Sequence, residues 1–328
     1  MPDVDLKNEK TYDLVFWTSI QKHTEFLIPL INEAFGEAYP KDAKVRLLPG
    51  KQAARKNDGS IDEGEMDALA EVIDAESDKD GRKYHFELQA GPDDTMAIRI
   101  AEYGAAYAYE NVTWDGMRAE MTIPHAAVVF LRSNASTPDS FPITIHHPGG
   151  DADYEAPVLK LKNYSIDDIF RKNLLLLVPY FPFLLEGRME EMNAAGYDFK
   201  DVQATLDDIN GRLDELIAAG AIDETKKQHM LDWLKRVFDK LAAKYDNTRK
   251  GVDRIMKGYM LHTRTDDILD QGRREGRQIG NLQGRNERGK EVALRMSDDG
   301  LSIEKIAQYV GESVETVREW LSAPPVLA

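Results

Sequence analysis

Few residues of this 328-residue chain combine type and spacing in a way that could do chemistry, and the sharpest set is YHFELQ at 84–89. Side chains alternate across a strand, so His85, Glu87 and Gln89 share one face while Tyr84, Phe86 and Leu88 take the other. One face is polar and convergent; the other is apolar. Asp67 lies on a preceding predicted strand that a hairpin can bring alongside. Two hard carboxylates helped by a backbone carbonyl suit Mg²⁺ or Mn²⁺ better than a softer metal. A metal held there could polarise a phosphodiester oxygen and lower the pKa of an attacking water. The alternative is two solvated carboxylates on an exposed sheet face. His85 faces the right way, with a structural histidine as its plainer role.

Composition removes competing chemistries. The chain has no cysteine, which excludes disulfides, Cys-based zinc sites, iron–sulfur ligation and a thiol nucleophile. With 58 acidic against 42 basic side chains, its formal charge is -16, so any nucleic-acid contact must be local rather than a bulk-charge effect. The first residues lack the basic and apolar regions of a secretory signal. The most apolar run, 174–185, holds Pro179 and Pro182 and falls short of the roughly 20 residues that span a bilayer. A soluble cytoplasmic protein with no membrane partner is expected.

The elements that must position these residues follow from pattern. Residues 24–35 carry an apolar helical stripe stopped by Gly36, 44–48 read as a short strand, and 57–62 as a polar turn. Strands are expected at 66–75 and 83–89 around a turn at 78–81, a helix at 95–110, and strands at 126–132, 142–146 and 158–162. The fold class is α/β, a mixed sheet flanked by helices, followed by an all-helical region. Ser165 is a predicted N-cap for a helix over 166–177, and amphipathic helices are predicted at 201–217, 224–243 and 248–263. Domains are expected at 1–162 (α/β), 163–265 (helical bundle or arm) and 266–328. The last begins with Gly272, Gly276, Gly280 and Gly284, either a stripe on a packed helix or a flexible linker, and ends in two short helices of helix-turn-helix proportions.

At this point the chain resembles the PD-(D/E)XK nuclease superfamily, in its Rpn-like recombination-promoting nuclease and transposase branch. The resemblance rests on LINEAFGEAYP (30–40), the isolated Asp67, YHFELQ (84–89) and MAIRIAEYGAAYA (96–108). It continues through PHAAVVFLR (124–132), YSIDDIF (164–170) and KGVDRIMKG (250–258). It implies a restriction-endonuclease-like core and a Mg²⁺- or Mn²⁺-dependent DNA endonuclease linked to transposition or recombination. It also implies Asp67 and Glu87 as metal carboxylates and the Leu88 carbonyl as a third ligand. Glu33, on the first helix, is a further metal candidate, with a surface or capping role as its alternative. The position that is lysine in much of the superfamily is Gln89 here. Its amide can hold a water or phosphate oxygen but brings no charge, and Arg99 on the following helix could supply the missing cation.

The charge pattern supports a rival. Residues 57–80 carry ten acidic side chains and one lysine, a poor field for DNA unless a metal neutralises part of it. The basic stretch is 272–295, seven Arg/Lys against three Glu, readable as a nucleic-acid arm or as a linker helix in an oligomer. The last helix presents Arg318 among Glu312, Glu315 and Glu319, which suits homo-oligomerisation or intramolecular packing better than groove reading. The rival is a catalytically inactive nuclease-fold binding or assembly protein. A helix-turn-helix regulator is a third reading.

Overall fold

The structure, a computed structural model, describes residues 11–55, 61–73, 81–259, 292–293, 296–297, 301–310 and 313–322. It begins with helix α1 (Thr11–Lys22), unforeseen in the sequence, then α2 (Leu27–Phe35). The helix expected from residue 24 starts instead as a 3-10 turn, Thr24–Phe26, and ends at Gly36 in the left-handed conformation (φ 65°) that glycine adopts without strain. Strands β1 (Lys44–Leu47), β2 (Lys51–Arg55), β3 (Ile61–Glu65), β4 (Ala68–Ile73) and β5 (Arg82–Gln89) follow, then α3 (Met96–Glu110). After it come β6 (Thr113–Asp115), β7 (Arg118–Glu120), β8 (His125–Phe130), β9 (Ser140–His147) and β10 (Gly150–Lys160).

Six strands form a mixed sheet in the order β1-β4-β5-β8-β10-β9. β4 and β5 pair antiparallel, β5 and β8 parallel, so β5 is flanked on both sides. The predicted strands are present, but β10 starts at Gly150 rather than 158 and forms a long hairpin with β9. Part of the polar turn expected at 57–62 is β3, paired with β2. The turn residues 78–80 lie outside the described residues.

The two sheet faces differ as the alternation of YHFELQ requires. Tyr84, Phe86 and Leu88 enter the main core with Phe16 and Ile20 of α1 and Leu30 of α2. The opposite face is roofed by α3, whose Met96 and Ile100 pack on Ala126, Val128 and Phe130.

Beyond the sheet the chain is helical. Ser165 caps α4 (Ile166–Arg171) in a reciprocal capping box with Asp168. The helix ends there rather than at 177, because Asn173 turns to φ 57° and the apolar run becomes a 3-10 helix, Leu175–Tyr180. Helices α5 (Pro182–Leu185), α6 (Met189–Met192), α7 (Lys200–Ala218), α8 (Glu224–Leu241) and α9 (Asp246–Met256) complete this part. The boundary expected at residue 162 is absent: Leu175, Val178, Leu234 and Phe238 share one core with Phe86. The chain divides instead into Met1–Met260 and Leu261–Ala328. In the second unit, helices Ile303–Val310 and Val314–Ser322 pack through Ile306, Ala307 and Val317. The glycine stripe at 272–284 and the basic side chains of 272–295 lie outside the described residues. Among the described residues no helix is long and apolar enough to cross a membrane.

Helices α1 and α8 are joined by a chain of nitrogen donors. The Lys22 ammonium contacts His229 Nε2 at 3.2 Å, and His229 Nδ1 lies 3.0 Å from His23 Nε2. An ammonium only donates, so His229 carries its proton on Nδ1 and donates to His23. A second proton on His23 would set two N–H groups against each other. Burial, then the neighbouring His229, lowers the His23 pKa to about 4 from 6.5. Glu25, Lys226 and Asp223 are the other charges facing it. Because the folded-state value is the depressed one, the stabilisation is present above pH 6.5 and is lost as pH falls through about 4. Calorimetric melting across that window should show a steep loss for wild type and a flatter profile for His23→Gln. Parallel profiles would refute the assignment.

Candidate functional site

The site forms where β4 begins beside the end of β5. Pairing of Ala68 with Phe86 and Leu69 with His85 puts Asp67, one residue further, opposite Glu87. Asp67 sits in the bend just before β4 rather than within the strand. Its Oδ2 accepts a hydrogen bond from the Leu88 N–H at 2.8 Å. Gln89 turns its main chain toward β8, its carbonyl accepting from Leu131 N–H at 2.8 Å. Successive residues of a strand alternate in this respect, so the Leu88 carbonyl lies on the Asp67 edge of β5. Asp67, Glu87 and the Leu88 main chain are therefore neighbours across β4 and β5.

Glu87 is fully buried beneath α3 and not solvated on an open sheet face. Its two oxygens have separate partners. His85 Nε2 lies 2.7 Å from Oε1, and Arg99 Nη2 donates to Oε2 at 2.7 Å. A carboxylate only accepts, so His85 carries a proton on Nε2; its Nδ1 is buried with no hydrogen-bond partner among the described residues. Arg99 reaches down from the first turn of α3. It also pairs with Asp93 at 3.3 Å and lies 5.7 Å from the centre of the Tyr103 ring.

Asp67 feels the whole arrangement. Burial, then the charge of Glu87, pushes its carboxyl well above the usual 3.8, while the Leu88 N–H and Arg99 act the other way. Asp13 of α1 adds further negative potential, and it is the residue the sequence reading missed. Nothing local marks it; only the packing of α1 beneath the sheet brings its charge to Asp67.

The remaining candidates divide. Gln89 is half-buried at the same end of β5, and its amide has no hydrogen bond among the described residues. Glu33 does not join the site: it accepts from the Tyr164 hydroxyl at 3.0 Å and pairs with Lys172 at 2.5 Å, tying α2 to the helical region. Tyr107 packs with Met66 and Leu69. His146 is exposed and pairs with Asp151 at 2.8 Å. Among the described residues no three His, Asp or Glu side chains are grouped to hold a metal, so a cation at this site would need main-chain help.

No family model, curated protein or solved structure matches the chain. What the site can do chemically is set by its geometry.

That geometry gives a pH signature. A carboxyl with a raised folded-state pKa stabilises the fold while protonated, and this is lost as pH climbs from 3.8 through the raised value. With chelator present, the melting temperature of wild type should fall relative to Asp67→Asn as pH rises over that range. A constant difference would show that Asp67 does not titrate in this environment.

Proposed function

We propose that the chain is a metal-dependent DNA endonuclease of PD-(D/E)XK type, acting in transposition or recombination. The observation that carries this reading is an acid facing an acid across β4 and β5. Glu71 provides the contrast. It is also buried, but its cross-strand partners are Arg46 and Lys83, and it pairs with both. That is how a structural carboxylate is accommodated in a sheet. Glu87 instead has an acid, Asp67, opposite it across the strands, and its cation, Arg99, comes from the helix above the sheet. Two facing carboxylates with one arginine raise electrostatic free energy when both are ionised, which a divalent ion would relieve. The order α2, then β1, β4 and β5, then α3 and β8, supports a restriction-endonuclease-like core.

The donor set fits a hard divalent ion, being all oxygen: Asp67, Glu87 and the Leu88 carbonyl. When bound, Mg²⁺ or Mn²⁺ supplies Lewis-acid polarisation of a phosphodiester oxygen and a water of lowered pKa. Gln89 orients a water or phosphate oxygen through its amide, and cannot act as a base. Arg99 provides the cation that contacts the scissile phosphate.

A second reading, a nuclease-fold binding or assembly protein without catalysis, is favoured by one observation. Both Glu87 oxygens already have partners within the chain, and glutamine stands where lysine serves much of the superfamily. Nicking of supercoiled plasmid in Mg²⁺ separates the two. Asp67→Ala and Glu87→Ala should each lose at least about a hundredfold, the scale of removing one strong electrostatic contributor. Nicking that survives in Asp67→Ala overturns the site. Inactive wild type that still binds Mn²⁺ through Asp67 points to the binding role.

A further inference from the structure

We infer that Arg99 is the internal stand-in for the metal: it neutralises Glu87 in the metal-free protein and yields Oε2 to a divalent ion, withdrawing to Asp93. This rests on the reading of Asp67 and Glu87 as metal ligands, and it concerns what those ligands do when no metal is bound.

The two partners of Glu87 are unequal. His85 is 1% exposed, with Leu69 opposite it across the strand pair and the Tyr103 ring on its other side at 6.1 Å. Among the described residues Nε2 has no acceptor except Glu87, so His85 keeps Oε1. Arg99 is 30% exposed and already has a second carboxylate, Asp93, itself 25% exposed. Asp93 is fixed in place by the N–H and hydroxyl of Thr95, at 2.8 and 2.7 Å. Releasing Oε2 therefore costs Arg99 one ion pair of two and moves its charge toward solvent. Oε2 is the oxygen that opens, and Glu87 ligates through it alone while His85 holds the carboxylate plane.

The energetics point the same way. A fully buried carboxylate that loses its cation and still faces Asp67 is strongly destabilised. The metal-free fold thus depends on Arg99, whereas the metal-bound fold has a replacement. Arg99 competes with the ion: it weakens binding while keeping the empty site folded.

Thermal melting in chelator and in Mn²⁺ tests this on wild type and Arg99→Ala, with Arg99→Gln as a second uncharged variant should alanine prevent folding. The variant should melt lower in chelator and gain at least about twice the wild-type rise on adding Mn²⁺, because a tighter ligand stabilises more. Mn²⁺ titration followed by electron paramagnetic resonance should give a dissociation constant lower than wild type by about tenfold, the size of a 1.4 kcal/mol advantage. Adding Asp67→Asn should remove the gain in both backgrounds. A rise in Arg99→Ala with none in wild type also supports the inference. Equal Mn²⁺-induced rises, or a smaller one in the variant, overturn it and leave the metal site standing. No rise in any protein overturns both, as does a rise that persists with Asp67→Asn.

Discussion

Glu87 carries a carboxylate at the centre of a six-stranded sheet with no exposure to solvent, and much of the surrounding structure follows from making that tolerable. Strands β4 and β8 on either side leave only the faces of the sheet for its partners. His85 supplies one from the same strand, two residues earlier, on the same face. The other must come from the covering layer, which fixes α3 so that Arg99 in its first turn lies above β5. The Asp93–Thr95 turn that starts this helix then serves twice: it orders the chain leaving β5, and it holds the carboxylate that shares Arg99.

The other face of β5 gives the site its rigidity. Tyr84, Phe86 and Leu88 interlock with α1, α2 and the 174–185 run in one continuous core, so the helical region acts as backing for the sheet and not as a separate arm. Tyr180, within that run, donates to the Tyr12 carbonyl at 3.0 Å. Asp13 follows Tyr12, and its charge reaches both Asp67 and Tyr180. Seating α1 against this core therefore also places a third acid near the carboxylate pair. Interiors packed this closely transmit small displacements, so a shift of α1 would change the potential at Asp67.

How much of this was legible depended on the range of the interaction. The period-2 alternation of YHFELQ is local, and it identified the polar and the apolar face; Asp67 came from the expected hairpin and from the resemblance. The Ser165 cap and the amphipathic helices α7, α8 and α9 are local too, and they lie close to where the pattern puts them. What failed was tertiary. Whether the polar face was open to solvent could not be read locally; α3 covers it, because Met96 and Ile100 need the apolar side chains of β8 on that same face. Glu33 looked available, yet Tyr164 and Lys172 hold it from 131 and 139 residues away. Asp13 carried no signal, since its relevance comes from where a helix packs. The helix expected across 166–177 breaks at Asn173, which no propensity rule marks strongly.

The electrostatic balance of the site ties these observations together. Asp67, Glu87 and Asp93 surround the single Arg99, and Asp13 adds its charge to Asp67 from α1, so with every carboxyl ionised negative charge exceeds positive here. Two occupants can relieve that excess: a proton on Asp67, favoured by the same burial that raises its pKa, or a divalent cation. They compete for Asp67. Raising pH therefore strips the proton, weakens the metal-free fold and strengthens the pull on a cation in one step. On the proposed function, a chain of charge -16 would approach a phosphate backbone here only once that negative potential is neutralised. On that same proposal, metal binding would precede DNA, and Arg99 would become available to phosphate as it leaves Glu87.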